Sequence, residues 1–120
     1  MTQVLFVALG GAFGAVMRYS VGLAAARMFG LGFPWGTLAA NVLGGFLMGA
    51  LTARIGPEHE SIRLLIGVGA LGGFTTFSTF SLESLRMLQH QPGMGVVYVG
   101  ASVLLSIAAC ALGLLTGRPS

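Results

Sequence analysis

The polar chemistry of this chain gathers in one stretch, Gly72-Gly73-Phe74-Thr75-Thr76-Phe77-Ser78-Thr79-Phe80-Ser81, set between apolar runs at 62–71 and 82–88. A glycine pair and five hydroxyls in the middle of a greasy segment are costly in lipid. Non-helical backbone at that depth must be buried in protein or line a water-filled passage. Freed carbonyls and half-helix ends at the midplane are how membrane proteins hold ions. The segment therefore predicts an ion-handling membrane protein.

Phe77 and Phe80, three apart, fall on neighbouring positions of one helix face. Their ring edges carry partial positive charge and can attract an anion weakly without trapping it, although two Phe in a membrane helix more often pack or meet lipid. The interleaved Thr76, Ser78, Thr79 and Ser81 tip the reading toward a wet or protein-lined setting. Asn41 is the amide of the second apolar run, roughly 12 Å deep at 1.5 Å per residue from Phe33. It is either interhelical glue or a site component whose NH₂ can donate to an anion. Tyr98, Ser102 and Ser106 repeat every four residues, a candidate hydroxyl ladder; a serine can equally bond the carbonyl four residues back. Arg18 sits roughly 21 Å along its helix and can snorkel to the far interface. Glu83 lies two residues past the polar segment, facing Arg86 or a vestibule, and an embedded acid is a functional candidate by default.

Enzyme chemistry finds no footing: the sequence offers no carboxylate pair, no nucleophile with a partnered His and no ligand cluster of metal spacing. The chain is not expected to be an enzyme. Gly67-Val68-Gly69-Ala70-Leu71-Gly72 matches a dinucleotide fingerprint by letters alone, because no strand precedes it. Cys110, in a run of Ala and Leu, has no second thiol to pair with and reads as a small packing residue.

These groups need elements to hold them, and composition names the class. The 120 residues are 55% hydrophobic and 8% charged, with a mean hydropathy of +0.90. Long apolar runs of that kind point to bilayer spans. The net charge of +3 comes from scattered single arginines, with no basic face, so nucleic acid is excluded as a partner. Ala24-Ala25-Ala26 resembles a signal-peptidase site, but no Lys or Arg lies in Met1-Thr2-Gln3, and a cleaved signal is not expected.

A bilayer core of roughly 30 Å asks for about 20 apolar residues per helix. Four windows qualify, near 4–26, 33–53, 62–88 with its break, and 95–115. The turns fall at 27–32, 54–61 and 89–94, where Pro57, His59, His90 and Pro92 belong. The predicted fold is all-α integral membrane, with four transmembrane helices in a single domain over 1–120, the third broken at its middle. Four crossings put both termini on one side with Arg54, Arg63 and Arg118, against Arg27, Arg86 and nearby Arg18 on the other. That balance gives the positive-inside rule almost nothing to act on. Insertion both ways, with an antiparallel homodimer formed from the two orientations, is the simple inference; one orientation fixed by other means is its rival. Small residues at four-residue spacing (Gly10 and Gly14; Gly36, Ala40 and Gly44; Gly45 and Gly49; Gly69 and Gly73) predict close helix contacts. Four short helices hardly enclose a polar path, so oligomerisation is expected.

Three ordered motifs resemble the Fluc or CrcB family of fluoride channels: Gly10-Gly11-Ala12-Phe13-Gly14-Ala15-Val16-Met17-Arg18-Tyr19, Gly36-Thr37-Leu38-Ala39-Ala40-Asn41-Val42-Leu43-Gly44, and the 72–81 stretch. The resemblance covers essentially the whole chain. It implies a dual-topology antiparallel homodimer in the bacterial inner membrane, conducting F⁻ passively out of the cytoplasm through two interfacial pores around a central structural Na⁺. On this chain, backbone carbonyls of Gly72 and Thr75 from both subunits would hold the Na⁺. Phe77 and Phe80 would be the pore rings, with Asn41 facing them. Ser78, Thr79, Tyr98, Ser102 and Ser106 would form the polar track, with Glu83 beside it and Arg18 near a pore mouth. The central motif shows no departure from the family pattern; the fourth-span hydroxyls match by spacing only. Preference for F⁻ over Cl⁻ rests on the resemblance. The rivals are a proton-coupled exporter of the small multidrug resistance type, which needs an acid near mid-span, and a structural membrane protein without transport.

Overall fold

The computed structural model describes residues 1–56 and 58–117; Pro57 and Arg118 lie outside the described residues. The elements are α1 (Thr2–Phe29), α2 (Trp35–Arg54), α3 (Glu60–Ile62), a π-helical stretch (Arg63–Leu71), α4 (Gly72–Phe74), α5 (Ser78–His90) and α6 (Pro92–Leu115), with no strand among the described residues. Four helical runs are long and apolar enough to cross a membrane: Thr2–Phe29, Trp35–Arg54, Glu60–His90 and Pro92–Leu115. The turns are tighter than the sequence suggests. α1 runs on to Phe29 and ends at Gly30, whose φ of 80° suits a residue without Cβ. Gln91 alone joins α5 to α6, because Pro92 lacks an N–H and fits the first turn of a new helix.

Glycine decides the packing. A methyl built on Gly10 would overlap the Leu65 carbonyl, and one on Gly14 would overlap that of Ala70. Those two contacts seat α1 against the third span. On the other side, Gly45 and Gly49 of α2 meet the carbonyls of Ser106 and Cys110, while Gly113 of α6 meets that of Phe46. In lipid, apolar side chains gain little by facing one another, so backbone-close contacts of this kind supply the association. The Arg54 guanidinium closes the end of this pair, donating to Thr116 Oγ1 at 2.9 Å and to the Thr116 carbonyl at 3.2 Å.

Two features of the third span differ from the sequence reading. The Arg63–Leu71 stretch is π-helical, a geometry that hydropathy cannot signal and that concentrates near functional sites. The Gly72-Gly73 pair, which marks the start of the interruption in the sequence, is still helical. Gly73 instead docks on α1, where a Cβ would collide with the Gly11 carbonyl. The bundle measures 48 × 36 × 23 Å. Its thinnest dimension is about two helix diameters of 10–12 Å, so the helices form a slab rather than a ring around an interior space.

Candidate functional site

Helical geometry stops after Phe74 and resumes at Ser78, and Thr75 is extended with φ −81° and ψ 161°. Asn41 of α2 takes up the polar backbone this exposes. Its Nδ2 donates to the Thr76 carbonyl at 3.0 Å, and the Thr76 N–H donates to Asn41 Oδ1 at 2.8 Å. Leaving either half-buried group unpaired would cost up to roughly 1–3 kcal/mol. Three residues along α2, Gly44 leaves space that the Thr75 methyl fills. Asn41 is thus a clamp on the broken segment that also keeps a second amide N–H.

The clamp changes which groups are free. In an unbroken helix the Gly72 carbonyl would accept from the Thr76 N–H, and that of Thr75 from the Thr79 N–H. Here the Thr76 N–H goes to Asn41 and the Thr79 N–H goes to Thr76 Oγ1 at 3.2 Å. Both carbonyls have lost their helical donors to side chains. The first main-chain bond of α5 runs from the Ser81 N–H to the Phe77 carbonyl at 2.8 Å. The N–H groups of Phe77, Ser78 and Phe80 find no acceptor among the described residues. An open helix N-terminus of this kind favours an anion.

Beside the break runs a groove of about 420 Å³, bringing together Asn41, Thr75, Phe77, Phe80, Ser102 and Ser106. It is open along one side, and Phe77 is 78% exposed. The rings of Phe77 and Phe80 lie 5.8 Å apart, and Phe80 continues to Tyr98 at 5.4 Å. Tyr98 is fully buried, and its hydroxyl donates to Glu83 Oε1 at 3.2 Å. A second cleft, about 240 Å³, holds Arg18, Thr37, Thr79 and Glu83. Arg18 Nε is buried there with no hydrogen-bond partner among the described residues. Glu83 also borders a cleft with Arg86, yet makes no ion pair among the described residues.

The serines separate into two kinds. Ser20 and Ser81 bond back to the carbonyls of Val16 and Phe77, at 2.9 and 2.8 Å. Ser102 and Ser106 do not: neither buried hydroxyl makes a well-formed hydrogen bond among the described residues, although that of Ser102 lies beside the Tyr98 hydroxyl. Ser102 itself is only 4% exposed. A buried hydroxyl without a partner is held at a cost unless something else visits it.

Three nominated residues stand apart: Ser78 and Gly72 are exposed, Tyr98 is fully buried, and none of them lines the groove or the Arg18 cleft. Two further groups take positions that their sequence reading did not assign. Thr76 anchors the break by its backbone, which no side-chain pattern signals. Cys110, which the sequence reads as a small packing residue, lines the groove.

The profile of the family described as "CrcB-like protein, Camphor Resistance (CrcB)" matches residues 5–114. The chain belongs to the CrcB family. It is 51% identical to a "Fluoride-specific ion channel FluC" of Caulobacter vibrioides, covering 98% of this chain and 97% of that one. A protein of the same name from Rhizobium johnstonii is 46% identical over 98% of each chain. Another from Shewanella amazonensis is 50% identical over 92% of this chain and 88% of its own. CrcB membership places the four apolar spans in a family whose relatives carry the names of channels rather than enzymes.

Proposed function

We propose that this protein is a passive fluoride channel, working as an antiparallel homodimer with two pathways and a central Na⁺. The observation that carries this reading is the groove: uncharged donors, two aromatic rings and an open helix N-terminus meet in mid-span. Fluoride is small and strongly hydrated, so a pathway must replace its water with several directed donors. Those donors must bind well enough for entry and weakly enough for exit, which favours hydroxyls, amide N–H groups and ring edges over a fixed charge. The unpartnered hydroxyls of Ser102 and Ser106 and the N–H groups of Phe77, Ser78 and Phe80 fit that requirement. The names carried by the relatives supply the choice of fluoride.

A slab two helices thick cannot enclose a path, and the groove is open on one side. A second copy facing it would cover the exposed Phe77 and close the wall. With two-fold symmetry, each copy contributes one groove, hence two pathways. The nearly even split of arginines between the two sides supports the antiparallel arrangement. Arg18, Thr79 and Glu83 would then form the mouth, where a cation draws the anion in and Glu83, held by Tyr98, shapes the entrance.

The Gly72 and Thr75 carbonyls, relieved of their helical donors, fit a hard cation, which takes oxygen ligands. Two copies related by a two-fold axis would offer four such oxygens. The Na⁺ would supply positive charge that neutralises their dipoles and ties the two broken helices together.

Liposomes containing the purified protein should release F⁻ when a potassium ionophore clamps the voltage, and should retain Cl⁻. Release of neither ion from vesicles holding intact protein would sink the channel reading. Proton-dependent uptake of an organic cation would point to an exporter instead.

A further inference from the structure

Cys110 is the single cysteine of the chain, and it lies on α6 four residues beyond Ser106. Spacing alone does not put it in line with Tyr98, Ser102 and Ser106. Each step of four residues turns roughly 40° further around a helix of 3.6 residues per turn, so a ladder of this kind drifts off its face. The groove nonetheless reaches Cys110, together with Ser102, Ser106 and Met48. The reason is the α2–α6 seam: Gly45 lies against the Ser106 carbonyl and Gly49 against that of Cys110. Two bare glycines let α2 hug α6, and the groove between α2, α6 and the broken third span follows that contact to the next turn. The thiol is half-buried.

A second observation points to a visitor here. Ser102, 4% exposed, lines the same groove; its buried hydroxyl lies beside that of Tyr98 but makes no well-formed hydrogen bond among the described residues, nor does that of Ser106. Cys110 continues this row of unspent donors about 6 Å beyond Ser106 along the helix. An S–H is a weak donor, suited to a group that must let an anion leave.

We propose that the Cys110 thiol is a further wall group of the ion path, donating its S–H to the anion beyond Ser106, and that capping this thiol closes the path. The inference rests on the channel reading above. It makes Cys110 a modification site as well: an electrophile small enough to follow the path reaches the thiol in the folded protein. With methyl methanethiosulfonate, the Cys110 thiolate attacks the sulfenyl sulfur and a new S–S bond forms. The old S–S bond breaks, methanesulfinate leaves with the electron pair, and the thiol proton passes to buffer. The added S-methyl group removes the donor and fills the narrow end of the groove.

The test uses the full-length protein in liposomes, with labelling followed by intact mass and F⁻ efflux measured on the same sample. Wild type should label fully in its native state and lose at least about tenfold in efflux rate, and dithiothreitol should restore both mass and rate. Cys110→Ala should be insensitive to the reagent but several-fold slower than wild type, and Cys110→Ser, which keeps a donor, should recover most of that loss. These replacements leave the Gly49 contact alone, because that contact is to the Cys110 carbonyl. Full labelling with the rate within about twofold of the untreated sample would overturn the inference. So would native protein that labels only after denaturation. Untreated vesicles that release no F⁻ would remove the channel reading itself, and this inference with it, whereas active vesicles indifferent to labelling would remove this inference alone.

Discussion

Along the seam between α2 and α6, carbonyls of Ser106, Cys110 and Phe46 press on Gly45, Gly49 and Gly113 with no room for a methyl group. Across the groove, at 75–77, the chain gives up helical bonds and is held by one side-chain amide, Asn41. The seam spends its backbone on contact, and only side chains of α6 such as Ser102 and Ser106 are left to face the groove. The break does the reverse: carbonyls at Gly72 and Thr75 and amide hydrogens at the start of α5 are left available because their usual partners are taken. Rigid packing on one side makes an unsatisfied backbone affordable on the other. A pathway needs both walls, since loose donors on a loose frame would collapse onto each other.

Replacements that break the frame should have the largest effect. Gly49→Val forces a branched side chain into the Cys110 backbone, overpacking of the sort that costs about 1–3 kcal/mol or more. Loss of a monodisperse peak in size-exclusion chromatography is expected. Gly93→Ala, with nothing within 4 Å of its Cβ position, should elute like wild type. Equal behaviour of the two variants would remove the distinction between seam and surface.

Removing the clamp should come next. Asn41→Ala strips both bonds from the Thr76 backbone and should destabilise the protein by roughly 2–6 kcal/mol, two unpaired groups at about 1–3 kcal/mol each. F⁻ efflux should drop by about a hundredfold or more, since the open groups of α5 lose their position. Asn41→Asp keeps the acceptor for the Thr76 N–H but brings a negative charge to the groove, so its efflux should fall while its folding survives better. If Asn41→Ala conducts normally, the clamp is not what sets the geometry of the break.

The ring pair calls for a milder change. Phe77→Ile or Phe80→Ile keeps an apolar side chain and discards the positive ring edge. Efflux should fall about tenfold, roughly 1.4 kcal/mol on the barrier, with assembly intact by cross-linking. Replacing Na⁺ with N-methylglucamine should weaken dimers in sedimentation analysis, and unchanged sedimentation would argue against a cation held by the Gly72 and Thr75 carbonyls.

The smallest effect is expected at Ser102→Ala. The hydroxyl makes no well-formed hydrogen bond among the described residues, so thermal stability should hold or rise by up to about 1 kcal/mol, while efflux slows a few-fold. A clear loss of stability would mean that the hydroxyl is spent on the fold after all.

Much of this arrangement was legible in the residue order. Four long apolar runs dictate four spans because lipid admits few other structures. Small residues at four-residue spacing announced close contacts, since only they let two backbones approach in lipid. The family likeness was visible in motif order along the chain.

Tertiary structure decided the rest, because it depends on which partner each group finds. The sequence could not tell that Gly73 docks on α1 while the helix opens two residues later, or that the run from Arg63 to Leu71 winds as a π-helix. Asn41 read equally as glue or as a site, and only the position of Thr76 three helices along the chain resolved what its amide does. Serines of one type took two fates: Ser81 bonded its own helix, while Ser102 and Ser106 were left facing the groove. A side chain's chemistry is written in its identity, but whether that chemistry is already spent depends on neighbours brought from elsewhere in the chain.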